Sequence, residues 1–400
     1  MPKTRCGPAA LAAALLALPA GAAAQEMRRD GFVVRPYGLL QLDLGTNFGH
    51  SRPGGPDGGF NPRRARLGLE GSLPGDLDYA LIWDFGGTPG SRGGLYEASL
   101  AWTGLDPLRV TAGVFKPSFS LAGMRSSSDL LFLERPAVVE AASGLGAGSG
   151  RVAAQVAASG ERWHAAAALT GGGTGPGEDS AQRGATARLA GLALRTEELT
   201  LHLGLSGLLS FRPPRDDEGR RAVGLSEPAE LALDRRDPPL DTGSIGADSA
   251  RAGGVELGLG WHRLQGQAEL YGIEVTRDAS AGGGTRRFGG WYAQAGYTIL
   301  GRPRTWEARD ATWSGPEPEE SFNPAGGRWG AVEIGARISE LDLSDRDIRG
   351  GRQRVHALAL GWHPAERLAV LAQYQWVQVT GAEGGDRRFQ AAALRAQLRF

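Results

Sequence analysis

Ala391-Ala392-Ala393-Leu394-Arg395-Ala396-Gln397-Leu398-Arg399-Phe400 alternates between two kinds of side chain. Ala392, Leu394, Ala396, Leu398 and Phe400 fall on one parity; Arg395, Gln397 and Arg399 fall on the other. Successive side chains of a strand point to opposite faces, so the segment reads as a strand with one greasy and one polar side. Left as an uncovered edge in a soluble protein, such a strand would be an aggregation hazard.

The same parity recurs upstream. From Leu77 to Phe85 the odd positions carry Leu77, Tyr79, Leu81, Trp83 and Phe85, while Asp78 and Asp84 point the other way. From Ala65 to Gly71 the odd positions are apolar or small, and Arg64, Arg66 and Glu70 share the opposite face. Sixteen segments follow this pattern: approximately 35–45, 62–72, 76–86, 95–103, 107–115, 150–159, 161–170, 182–194, 198–210, 251–262, 265–276, 287–300, 328–341, 353–363, 367–379 and 387–400. Most reach the roughly 9–11 residues that a tilted strand needs to cross the hydrocarbon layer.

Short turns follow most even segments (Leu73-Pro74-Gly75, Gly104-Leu105-Asp106, Gly160), and long Gly/Pro-rich connections follow odd ones, at 46–61, 116–149, 211–250 and 342–352. That asymmetry predicts an all-β, transmembrane antiparallel β-barrel of sixteen strands. The connection 301–327 departs from it, being long where a short turn is expected. Tyr79, Trp83, Tyr96, Trp102, Trp163, Trp261, Trp291, Tyr297, Trp362, Tyr374 and Trp376 lie mostly on the apolar parity near segment ends, as aromatic girdles would. A large antiparallel sandwich also alternates, but it would bury its aromatics in one core.

Residues 1–24 read as a cleaved secretory leader: Lys3 and Arg5, then an apolar stretch from Ala9 to Leu18, then Ala22-Ala23-Ala24 before Gln25. Residues 25–400 are then the barrel domain. Cys6 leaves with the leader, which excludes disulfides and thiolate chemistry from the mature chain. Loss of Lys3 and Arg5 takes the basic residues from 44 to 42 against 44 acids, a net charge of −2 that argues against nucleic-acid binding. Lys116 is then the only lysine. The six histidines have no metal-ligand spacing, no cofactor motif occurs, and no Ser-His pair on the lipid-facing parity suggests a hydrolytic barrel. His164, His202 and His262 carry lumen parity.

The terminal aromatic resembles the recognition signal of barrels inserted by the outer-membrane assembly machinery. The chain as a whole resembles the phosphate-selective porin O and P family. The likeness is carried by Arg63-Arg64-Ala65-Arg66-Leu67, Glu97-Ala98-Ser99, Thr103-Gly104 and Gly113-Val114-Phe115-Lys116-Pro117-Ser118-Phe119. It continues through Ser126-Ser127-Ser128, Leu133-Glu134-Arg135, the run from Asp241 to Asp248, Trp291-Tyr292-Ala293-Gln294, Leu341-Asp342-Leu343 and Leu360-Gly361-Trp362. The resemblance implies a homotrimeric porin among the lipids of a Gram-negative outer membrane. A third loop, here 116–146, would fold inward, and small phosphate-like anions would pass lumen arginines and constriction lysines. The chain departs from the family at Met124 and Asp129, where lysines are expected, and at Ser226-Glu227-Pro228, where an arginine is.

An anion pore needs fixed donors that replace part of the ion's hydration without holding it. Parity puts Arg64, Arg66, Arg109, Arg151, Arg188 and Arg337 toward the lumen, with Glu70, Glu256 and Glu333 as acids that could pair with them. The expected anion path comprises Arg63, Arg64, Arg66, Lys116, Arg125 and Arg135. Two other functions fit the same fold: a weakly selective diffusion pore, and a closed barrel acting as a structural or adhesive surface protein.

Overall fold

The computed structural model describes residues 26–51, 58–87, 93–175, 179–233 and 238–400. The leader read over 1–24 lies outside the described residues. Sixteen long strands follow: β1 (Phe32–Phe48), β2 (Gly59–Leu73), β3 (Leu77–Asp84), β4 (Gly94–Leu105), β5 (Leu108–Phe115), β6 (Arg151–Gly160), β7 (Trp163–Gly173) and β8 (Arg183–Arg195). The second half comprises β9 (Leu199–Arg212), β10 (Leu240–Trp261), β11 (Leu264–Arg277), β12 (Thr285–Leu300), β13 (Ala331–Asp345), β14 (Ile348–Ala365), β15 (Leu368–Ala382) and β16 (Arg387–Arg399). Each pairs antiparallel with the next, and β16 returns to β1 with Leu39 opposite Arg399 and Phe48 opposite Gln390. The closed ladder leaves no open edge.

The parity of the last strand survives closure. Leu394 is 51 % exposed on the outer surface, whereas Arg395 is 1 % exposed inside. Phe400 seals the seam: its backbone exchanges hydrogen bonds with Gly38 at 2.9 and 3.1 Å, and its ring lies over that glycine. A Cβ on residue 38 would fall 2.2 Å from Phe400 Cζ, so any larger residue there must push the ring from its seat. Gly38→Val is therefore expected to cost about 1–3 kcal/mol as an overpacked contact and to lower the yield of heat-modifiable barrel on electrophoresis. Unchanged assembly would show that the seam does not depend on this packing.

Four readings change. The stretch 342–352 is not a loop: β13 and β14 pair as far as Asp345 opposite Ile348, and Arg346-Asp347 form the turn, with Arg346 at φ 55°. The ladder continues because its inward residues, Leu341 and Leu343, are still buried there. The connection expected over 211–250 shortens to 213–239, since β10 starts at Leu240 and pairs with a short strand, Ala222–Glu227. Tyr96 leaves the girdle. The β3–β4 register shifts between Ile82 and Trp83, and this bulge inserts Tyr96 so that its ring faces the lumen. His262 also leaves the lumen parity, because it forms the β10–β11 turn at φ 51°.

The interior is less polar than a simple water-filled barrel. The β5–β6 connection carries two short helices, α1 (Leu121–Met124) and α2 (Ala137–Gly144). Its residues Phe119, Leu131, Phe132, Val138 and Val139 are buried against inward side chains of β11 to β16, among them Ile273, Val275, Val355, Val377 and Phe389. This apolar core seats the loop on one half of the wall, and the remaining space opens toward β1 to β7.

Candidate functional site

A second segment fills the lumen from the opposite end. The long β12–β13 connection bends inward through a two-residue ladder, Trp306–Glu307 with Thr312–Trp313. Trp313 is 2 % exposed and meets His202 edge-on, with ring centroids 5.5 Å apart. Its ring occupies the space a Cβ on Gly258 would need, at 2.4 Å. Trp306 Nε1 donates to His202 Nδ1 at 3.2 Å, which leaves Nε2 of that imidazole to donate to Glu256 at 3.2 Å. Arg188 forks onto the same carboxylate at 2.9 and 2.8 Å and donates to the carbonyls of Asp310 and Ala311. Arg304 binds Glu333 at 2.6 and 2.7 Å and also donates to Asp129 O, so one guanidinium ties the hairpin to the wall and to the inward loop.

The inward loop is held on the other side by acid–arginine pairs. Arg63 forks onto Glu134 at 2.8 and 3.0 Å, Arg64 reaches it at 3.0 Å and Arg395 at 2.8 Å. Arg395 also forks onto Asp43 at 2.7 Å. Burial alone would raise the Glu134 carboxyl, but these guanidiniums hold it well below the usual carboxylate range. Arg135 donates to Ala122 O at 2.8 Å and Arg125 O at 2.6 Å, bracing the loop on itself. Gln41 and Gln397 donate to the carbonyls of Ser127 and Ser128 at 3.0 Å.

What remains is a cavity of about 290 Å³ between the loop, the hairpin tip and the wall. Of the six residues expected along the ion path, Arg66, Lys116 and Arg125 line it; Arg63, Arg64 and Arg135 belong to the loop's anchorage. Arg109 and Arg309 complete five lining cations, against the two lining acids Glu97 and Asp310. Arg66 is fixed by Asp84 at 2.7 Å and lies 3.5 Å over the Tyr96 ring, a cation–π contact; Arg109 is fixed by Asp78 at 2.6 Å. Lys116, Arg125 and Arg309 have no carboxylate partner among the described residues. Lys116 donates to Gly123 O rather than to Glu134 or Asp129. Burial, reinforced by Arg135, depresses its ammonium well below the ordinary lysine range.

Parity alone hides three of these residues. Tyr96 is turned inward by the bulge. Arg309 and Asp310 lie in the 301–327 connection, whose anomalous length was the only signal that it had a place inside.

The comparisons agree with this architecture. The family model for phosphate-selective porin O and P matches residues 34–400. An uncharacterized protein of Caulobacter vibrioides is 29% identical over 390 residues, covering 92% of this chain and 72% of its own length. Porin O of Pseudomonas aeruginosa is 23% identical over 381 residues, covering 87% and 84%. The solved anion-selective porin from Comamonas acidovorans shares the fold at a TM-score of 0.53 and 12% identity, covering 92% of this chain and 99% of that one. With the family matched over nearly the whole barrel, the short turns face the periplasm and the long loops the exterior. This chain belongs to the phosphate-selective porin O and P family of the Gram-negative outer membrane.

Proposed function

We propose that the barrel is a passive diffusion porin with a modest preference for small anions, phosphate-like oxyanions included. The observation that carries this reading is the charge of the cavity. Five cations and two acids line it, and Asp78 and Asp84 pair with two of the arginines from behind, leaving a local sum of +1. A guanidinium offers forked donors to an oxyanion, and an ammonium attracts any anion without directional demand. A sum of only +1 favours preference over tight binding, which suits an ion that must also leave.

Purified protein in a planar bilayer under a salt gradient tests the reading. The expected reversal potential has the sign of anion preference, and added phosphate lowers chloride current only weakly. A cation-signed potential would refute it, and an absence of conductance would favour the closed surface-protein alternative. A hydrolytic reading has little support. Ser118 Oγ lies 3.0 Å from His164 Nε2, but no carboxylate among the described residues orients His164 Nδ1. A homotrimer is the expected assembly. β3 and β5 have only eight residues each, short of a full crossing, and expose Leu81, Trp83 and Val110, a low apolar wall suited to a neighbouring barrel.

A further inference from the structure

The outer surface of β14 to β16 carries charge where a lipid-facing wall is ordinarily apolar. Arg354, Gln378 and Arg388 stand side by side across three strands, and His356, Trp376 and Gln390 form the row beneath. Both rows face outward near the loop end of the barrel, and they border a groove of about 400 Å³. Arg354 shares Glu340 with Arg352, at 2.5 Å for Arg354, whereas Arg388 has no carboxylate partner among the described residues. The patch is therefore cationic and open to an anionic group.

Directly below, the surface changes character. The next two rows are Leu358, Tyr374 and Ala392, then Leu360, Ala372 and Leu394, with Leu44 of β1 alongside. They line a second groove of about 650 Å³ that is almost wholly apolar. Trp376 packs edge-on against Tyr374 with centroids 4.6 Å apart, which marks the outer aromatic girdle. The arginines thus stand at headgroup depth. From Arg354 to Leu360 the wall runs about 20 Å along the strand, close to one leaflet with its headgroup layer.

We propose that these two grooves form one binding site for the phosphorylated glycolipid of the outer leaflet. Its phosphate would lie between Arg354 and Arg388, and an acyl chain would follow the Leu358–Leu394 groove. The charge complementarity and the depth of the arginines select a phosphate-bearing lipid over a second copy of this chain, on whose matching surface Glu340 is already taken up by Arg352 and Arg354. The exterior position of the patch selects the outer-leaflet glycolipid over an inner-leaflet glycerophospholipid.

The full-length protein, purified in detergent, would be titrated with the bisphosphorylated glycolipid, its dephosphorylated form and phosphatidylglycerol, followed by native mass spectrometry and by the temperature of barrel unfolding. The wild type should retain the bisphosphorylated lipid and gain several degrees only with it. Two neutralised arginines, at about 1 kcal/mol each near a charged surface, predict roughly 30-fold weaker retention in Arg354→Gln/Arg388→Gln. Arg354→Glu/Arg388→Glu should abolish retention. Equal retention by wild type and the Gln variant would overturn the proposal, as would an equal shift with phosphatidylglycerol. A trimer-to-monomer change with glycolipid retention intact would make this face a subunit contact and overturn it too.

Discussion

Glu134→Ala is expected to raise single-channel conductance about twofold, through a wider and less ordered eyelet. Glu134 is the one acid on which Arg63, Arg64 and Arg395 converge, and two of the three, Arg64 and Arg395, are almost fully buried. Removing a partner from a buried pair costs about 3–5 kcal/mol because the remaining charge stays unsolvated. Here the lower end applies, since Arg63 is partly open to the lumen and Arg395 keeps Asp43. The sixteen-strand ladder does not depend on this acid, so the cost falls on the loop: protease cleavage within 116–150 should rise while the barrel stays folded. The depressed Glu134 pKa fixes the acid response. Its contribution is present above the ordinary carboxylate pKa and is lost only as pH falls through the lower folded value, so the clamp should persist in moderately acidic medium. Glu134→Ala with wild-type conductance and cleavage would show that the apolar core alone seats the loop.

That division of labour explains how much could be read from the sequence. All sixteen strands were legible because a wall bathed by lipid on one side and packed on the other imposes a period of two on every segment. The same rule placed Arg64, Arg66 and Arg188 inside, where they are. Parity says which side a residue faces and nothing about its partner. Arg64 and Arg66 are two positions apart in β2, yet one is committed to Glu134 and the other borders the cavity. Register across β2, β16 and the loop decides between them, and register depends on closure. Tyr96 was misplaced for a related reason, since one bulge reverses parity for a single residue. The inward hairpin at 306–313 was visible only as excess length. Its seat depends on Gly258, whose missing side chain makes room for Trp313, a relation across 55 residues that no local pattern encodes.

Lys116→Glu is expected to turn the anion preference into a cation preference. The cavity holds a sum of +1 once Asp78 and Asp84 are counted, and the substitution moves it to −1. The other cations are poorly placed to compensate: Arg66 and Arg109 are already paired, Arg125 is buried with 1 % exposure and bonded to Gln265, and Arg309 stands beside Asp310 at the hairpin tip. Adding Arg309→Glu takes the sum to −3 and should deepen the cation preference without reversing it again. Titration offers an intermediate point in the unmodified protein. A lysine with a depressed pKa is charged below that value and neutral above it, so rising pH takes the sum from +1 to 0 before an ordinary lysine would discharge. Anion preference should therefore fade with increasing pH in the wild type and show no such transition in Lys116→Gln. Reversal potentials measured in one salt gradient across this series should fall in the order +1, 0, −1 and −3. If Lys116→Glu kept the wild-type potential, the selectivity would have to arise elsewhere along the passage.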